Sequence, residues 1–226
     1  MGVWVWWAYE VLTLMATYIS TAAMDAQTIM RTIGVLTYMI PMGGNYACRI
    51  MIGKNIGSNN EPAIKHYFKV TVLASFLVGL AEVIFLKIFE RPMSHLFTKD
   101  PVVQEQMISV WNIFLLFVIF DCTQGVASAC IQASSRQTLG AIITGINYFV
   151  IGIPIAALLV FGKDWGINGI WFGAACSVIC NTIAYLFLFI RTDWNMLIQE
   201  GVTRRKTEME QIIKTSQEEN VKKHLL

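Results

Sequence analysis

Trp111-Asn112-Ile113-Phe114-Leu115-Leu116-Phe117-Val118-Ile119-Phe120-Asp121-Cys122-Thr123-Gln124 decides what kind of chain this is. An apolar run from Trp111 to Phe120 leads into an acid, and a second run, Gly125 to Ile131, carries on beyond it. Together they make a segment of roughly 108–133, and about 20 apolar residues cross the hydrocarbon core of a bilayer. Asp121 therefore sits near mid-membrane. A charge there costs about 2.5–3.5 kcal/mol on insertion scales, so such a residue faces a cavity or a neighbouring helix rather than lipid.

Working outward, five more apolar segments follow the same pattern: roughly 3–20, 28–52, 68–89, 139–161 and 169–190. The sequence therefore predicts an all-α membrane protein, a six-helix lobe over residues 1–190 with a shortened first helix. Composition agrees. Of 226 residues 55% are hydrophobic and 14% charged, with a mean hydropathy of +0.55. A soluble domain would carry about 25% charged residues.

The breaks carry turn chemistry. Gly53 to Pro62 is rich in Gly and Asn, Arg91-Pro92 opens another connection, and Thr98-Lys99-Asp100-Pro101 reads as a helix stop and restart. Ser134 to Gln137 is a short polar turn, and Gly162 to Gly166 is another, with Trp165 where an interfacial aromatic belongs. Small residues such as Gly152, Gly169 and Gly173 mark faces where helices approach closely in lipid.

From Arg191 the character changes to a polar tail, 191–226, in which Met209, Ile212 and Ile213 share one side of a possible amphipathic helix; a solvated tail is the favoured reading. Placing the 53–66 loop, the 134–138 turn and the tail on one side collects most of the Lys and Arg residues, which makes the tail side cytoplasmic. That orientation leans on the tail, because without the residues from Arg204 onward the two sides balance.

Several function classes fall away. A net charge of +2, with no basic stripe, gives no basis for a nucleic-acid partner. Cys48, Cys122, Cys130, Cys176 and Cys180 form no paired CxxC set, so they read as small packing residues rather than zinc ligands. The N-terminus lacks the basic region and cleavage site of a signal peptide. No HExxH, Walker loop, GxSxG or GxGxxG motif appears, so the sequence predicts neither an enzyme nor a cofactor or metal site. Whatever moves is driven by an ion gradient rather than by ATP.

Two acids stand out. Glu10, in Trp6-Trp7-Ala8-Tyr9-Glu10, has apolar and aromatic neighbours, and a carboxyl group held there can load and release a proton; the alternative is a helix end reaching the headgroups. Asp121 has the same two readings, proton handling or a polar residue bonded to the next helix. Glu82 is a weaker third candidate, and Arg49 reads as snorkelling to a loop. Pro41 interrupts the second segment and kinks it, either for structure or to line a cavity. Gln27, Tyr38, Asn45, Gln124 and Asn147 are polar candidates for that cavity, and Trp6, Trp7, Tyr9 and Tyr38 could add cation–π attraction or serve as interfacial anchors.

At these residues the chain resembles the multidrug and toxic compound extrusion (MATE) transporters of eukaryotes. Trp6 to Glu10, Ala26-Gln27-Thr28-Ile29 and Tyr38-Met39-Ile40-Pro41 are similar to the family's seventh and eighth helices, and Ile52 to Gly57 to the loop that follows. Phe120-Asp121 through Ala141 resembles the tenth helix and its loop. Tyr148, Gly152, Pro154 and Gly166-Ile167-Asn168-Gly169-Ile170-Trp171 fit the eleventh and twelfth.

The resemblance implies a twelve-helix, two-lobe transporter of which this chain is the C-terminal lobe, opening partway along its first helix. It implies a secondary active antiporter that exports organic cations, drugs or metabolites in exchange for protons or sodium, in a plasma or vacuolar membrane. The partner would be the N-terminal lobe or a second copy. The family's proton-coupling carboxylates fall on Glu10 and Asp121. Acids that some animal members carry nearby fall on Val5 and near Thr32, and an arginine is displaced to Arg49. The rival expectation is an inactive half-transporter or membrane scaffold. A lipid-linked exporter would line its cavity with several arginines, and only Arg31 and Arg49 lie near spans.

Overall fold

A computed structural model describes residues 2–203 together with Met209 and Gln211. The tail helix expected around Ile212 and Ile213 lies outside these. The described residues form helices and contain no strand.

The elements are α1 (Gly2–Thr17), α2 (Thr21–Gly57), α3 (Glu61–Ile88), α4 (Glu90–Phe97), α5 (Pro101–Ala133), α6 (Gln137–Gly145), a π-helical turn (Ile146–Gly152), α7 (Ile153–Lys163) and α8 (Gly166–Arg191). Each of the six apolar segments overlaps one of these helices or, for 139–161, the continuous run α6–π–α7, but the first, 3–20, runs past the end of α1 at Thr17 and into the Ser20 cap of α2. Among the described residues, four runs are long and apolar enough to cross a membrane: 61–88, 101–133, 137–163 and 166–191. At 16 residues α1 is too short for that measure, whereas the 37-residue α2 carries Asp25, Arg31, Arg49 and Lys54.

Local chemistry sets the ends. The Ser20 side chain accepts from the Ala23 N–H, Asn60 from Ala63 and Asp100 from Val102, so three helices begin at side-chain caps. Pro62 and Pro101 then occupy first-turn positions, where a missing N–H costs nothing. Asn59, Ser135 and Asp164 take left-handed backbone angles that reverse the chain after α2, α5 and α7.

Three sequence expectations need correction. The Gly/Asn-rich hinge does not break α2 at Gly53; the helix runs to Gly57, with the Asn55 amide donating back to the Met51 carbonyl. The connection that Arg91-Pro92 opens is not a turn but the short helix α4, because a proline near a helix start lacks only a surplus N–H. The polar tail does not begin at Arg191. Residues 194–203 are helical and return to the lobe, burying Trp194, Leu197 and Ile198, with Trp194 4.8 Å from the Phe189 ring.

The long α5 is the axis. It is buried on nearly every side between α2, α3 and α8, as its unbroken apolar sequence demands. One cluster surrounds Trp111, Phe114, Phe117, Tyr148 and Trp171; a second, towards the other end, joins Cys48, Ile52, Phe68, Tyr185, Phe189 and Trp194. Phe68 and Phe189 stack at 3.5 Å between centroids. By contrast, most of α3 turns its apolar side chains outward, as a lipid-facing helix does.

Register between α2 and α5 is read from close approaches. Gly34 meets the Phe114 ring, and Gly125 meets Asn45. The same parallel register puts Pro41 level with Asp121. Pro41 is buried, and the carbonyl that its missing N–H frees, that of Thr37, lies one turn before the depth of Asp121.

Candidate functional site

A cavity of about 470 Å³ opens between α1, α2, α5, α6 and α8. Its wall includes Asp121, Arg31, Tyr9, Tyr38 and Trp6. This is the size of a site for a drug-like molecule, and its lining is chiefly aromatic and apolar with a few polar groups.

The floor is built by α5. Asp121, Gln124, Ser128 and Gln132 all line the cavity, and their spacing sets them along one face of a helix otherwise made for burial. The Gln132 amide donates to Ser128 Oγ at 3.1 Å, fixing the lower part of that stripe. The sequence carried this signal as polar residues recurring at helical spacing inside an apolar run, and only Asp121 and Gln124 were picked from it.

The aromatic wall comes from α1, α2 and α8. Tyr9 meets Phe117 edge to face at 6.2 Å and Tyr148 at 6.4 Å, which packs its ring and leaves its hydroxyl without a hydrogen-bond partner among the described residues. Trp171 closes the wall by packing edge-on against Phe114 and Phe117. At the far end Tyr185 donates to the Gly140 carbonyl at 3.0 Å and shares a short hydrogen bond with Thr144. Asp121 is close enough to Tyr9, Tyr38 and Tyr148 to act on each electrostatically. Neither Trp171, Tyr185 nor Thr144 was a sequence candidate, since nothing local separates them from ordinary core residues.

Glu10 departs from its expectation. It does not sit desolvated among its aromatic neighbours; its side chain is 58% exposed and pairs with Arg31 at 2.7 Å. On α1, positions 8, 12, 15 and 16 turn to the core, and Glu10 lies off that face. Arg31 in turn lies over the Trp6 ring at 5.8 Å and lines the cavity. The charge of Glu10 is thus matched, whereas no cation pairs with Asp121 among the described residues.

Two other candidates lie elsewhere. Gln27 is 1% exposed within the helix interfaces of α2 and does not reach the cavity. Asn147 sits in the π-helical turn and donates to Asn181 Oδ1 at 3.0 Å, joining that turn to α8. Asn45 stops just short of the cavity, against Gly125.

A family model described as MatE matches residues 1–158. Multidrug and toxin extrusion protein 1 of Xenopus tropicalis is 27% identical over 205 residues, which are 91% of this chain and 36% of that protein. Multidrug and toxin extrusion protein 2 of Homo sapiens is 26% identical over 196 residues, 87% of this chain and 33% of that one. The crystal structure of the eukaryotic MATE transporter AtDTX14 matches with a TM-score of 0.84 at 21% identity, over 88% of this chain and 45% of that one. An outward-facing and an inward-facing multidrug resistance MATE family transporter match at 0.74 and 0.72, both 18% identical over 85% of this chain and 44% and 45% of theirs. The lobe fits both conformations about equally, so its internal fold does not distinguish them. The chain spans about a third of the length of the relatives it matches and under half of these solved transporters.

Proposed function

Because this chain belongs to the MatE family and is a multi-pass membrane protein, we propose that it is the substrate-binding and ion-coupling lobe of a secondary active efflux transporter. It exchanges an organic cation, a drug or a metabolite, for protons. The observation that carries this reading is Asp121, an acid with no paired cation in the wall of a cavity of about 470 Å³ lined by tyrosines and tryptophans. The names of its relatives, multidrug and toxin extrusion proteins, point the same way.

The chemistry is differential binding. An ionised Asp121 attracts a cation, and the rings of Trp6, Tyr9 and Tyr38 add cation–π attraction. Protonation removes that attraction and releases the substrate. Proton and substrate then stabilise different arrangements of one bistable bundle, which is what couples their fluxes. Pro41, level with Asp121, supplies a weak point where α2 can bend. Glu10 takes part only when Arg31 lets it go, so it is the second coupling group and Asp121 the first. The other half of the transport path comes from an N-terminal lobe or a second copy. The tail side faces the cytoplasm, and the host membrane is the plasma membrane or a vacuolar one.

The test is reconstitution of the chain in lipid vesicles with an acidic interior and a fluorescent organic cation outside. Accumulation driven by the proton gradient, and lost in Asp121→Asn, is the expected result. The same assay with a sodium gradient decides the ion, and sizing in detergent decides whether two copies assemble. Vesicles holding the chain, alone and together with an N-terminal lobe of the family, in which neither gradient moves the cation overturn the antiport reading and leave a non-transporting membrane scaffold in its place.

A further inference from the structure

The mechanism leaves one buried acid unused. Glu82 lies on α3 and is only 6% exposed. Its Oε2 accepts from the Cys122 thiol at 3.5 Å, and its Oε1 is buried with no hydrogen-bond partner among the described residues. α3 comes this close because Gly79, one turn earlier, is packed directly on Cys122; a Cβ there would lie 3.2 Å from the Cys122 Cβ.

No cation pairs with Glu82 among the described residues. Lys87, the basic residue further along α3, is taken by Glu90 at 2.7 Å and by Asn112. From α5, Cys122 is in contact with Glu82, and Asp121 is the next residue along the helix, turned to the cavity. From α2, the other helix packed on α3, the recorded titratable contact is Cys48 with Thr71, about three helical turns away. A carboxylate buried without a cation, with one oxygen unbonded, is a costly arrangement in a membrane helix. A carboxylic acid is a cheaper one, since the neutral form needs no countercharge.

We propose that Glu82 and Asp121 form a coupled carboxyl pair across the wall of α5 that holds at most one negative charge between them, with Glu82 as a second proton-binding group of the lobe. Two like charges, one in contact with Cys122 and the other on the residue before it, disfavour joint ionisation, so the proton on one responds to the charge on the other. Asp121 meets the substrate from the cavity side. Glu82, which touches neither cavity nor substrate, acts through it as a positioning residue for charge. The inference rests on the transport reading above for its role, but its protonation can be judged without transport.

The experiment is infrared difference spectroscopy of the full chain in vesicles through a pH titration, on wild type, Asp121→Asn and Glu82→Gln. Gln keeps the volume of Glu82 and an acceptor for the Cys122 thiol. A protonated-carboxyl band at neutral pH that vanishes in Glu82→Gln, and that titrates at lower pH in Asp121→Asn because the neighbouring charge is gone, is the expected result. A spectrum unchanged by Glu82→Gln overturns the proposal. In flux assays, Glu82→Gln moves the midpoint of the pH profile by about half a unit or more while leaving substrate counterflow intact. A purely structural Glu82 would instead lower counterflow and thermal stability together and leave the midpoint alone. If Glu82→Gln does not fold, Cys122→Ala removes the thiol donor and must move the same midpoint; no movement counts against the pair. The two readings fail separately: a proton-driven flux that survives Asp121→Asn sinks the transport mechanism, whereas a flux lost there with a midpoint untouched in Glu82→Gln sinks only the pair.

Discussion

Arg31 Nη2 donates to Glu10 Oε1 at 2.7 Å and so ties α2 to α1 beside the cavity. The pair changes the electrostatics of the site. With Glu10 matched, Asp121 is the unmatched charge in the wall, and the cavity attracts cations. Remove the Glu10 charge alone and an unpaired arginine faces the same space.

From this follows a double-mutant test. Glu10→Gln weakens binding of a cationic probe by roughly threefold or more, because it leaves Arg31 uncompensated in the lining. Arg31→Gln added on top restores most of the loss. Binding measured on the two single variants and the double separates the pair from a direct role of Glu10. Losses that simply add would show that Glu10 contacts the substrate on its own account.

Gly125 offers a different test. A Cβ built there lies 2.6 Å from Asn45 Nδ2, the free end of a side chain rather than backbone. Gly125→Ala should therefore cost little stability, since Asn45 can rotate away. Rotation changes what the floor of the cavity presents, because Gly125 itself lines it. The expected outcome is a thermal midpoint close to wild type with a shifted affinity for the probe. A large drop in thermal stability would mean that Asn45 is locked and the α2–α5 contact is rigid.

At Gly173 the added methyl meets backbone instead. Its Cβ would lie 2.6 Å from Ala156 Cβ, 2.6 Å from the Gly152 carbonyl oxygen and 2.8 Å from the Ala156 nitrogen. Neither helix can yield locally, so α7 and α8 must separate. Gly173→Ala should cost about 1–3 kcal/mol, read as a clear fall in the melting temperature of the detergent-solubilised chain. A variant as stable as wild type would show that α7 and α8 can part without penalty.

These contrasts show where the sequence speaks and where it falls silent. The helices are legible because their apolar runs are long and most stops between them are chemically plain, as in the turn residues around Asn60 and Asp100; the Ser20 cap, inside the first apolar run, was not. Asp121 is legible because an acid inside such a run has few explanations. The Glu10–Arg31 pair is not, because its partners lie 21 residues apart on separate helices and only the α1–α2 packing angle brings them together. Trp171, Tyr185 and Thr144 enter the cavity from α8 and α6 for the same reason. The Trp194 helix was hidden by composition: three apolar side chains among charged neighbours read as a tail until Phe189 is there to receive them. Gln27 and Asn147 lie outside the cavity lining, Asn147 bonded to Asn181, and the sequence expresses such positions in the same letters as a binding site.

The two buried tryptophans give the last test. Trp111 and Trp171 are both about 1% exposed or less and belong to one cluster. The Trp111 indole N–H donates to the Leu86 carbonyl at 3.1 Å, one of the last-turn carbonyls of α3 that the helix cannot satisfy itself. The Trp171 N–H has no hydrogen-bond partner among the described residues. Tryptophan to phenylalanine removes similar volume at both sites, so the difference between them isolates the bond. Trp111→Phe should cost about 1–3 kcal/mol more than Trp171→Phe, because it strands a buried carbonyl while the other variant removes a donor that was already unmatched. Melting temperatures of the two variants in the same detergent check this. Equal losses would mean that the Leu86 carbonyl finds another donor and that Trp111 holds α3 to α5 by packing alone.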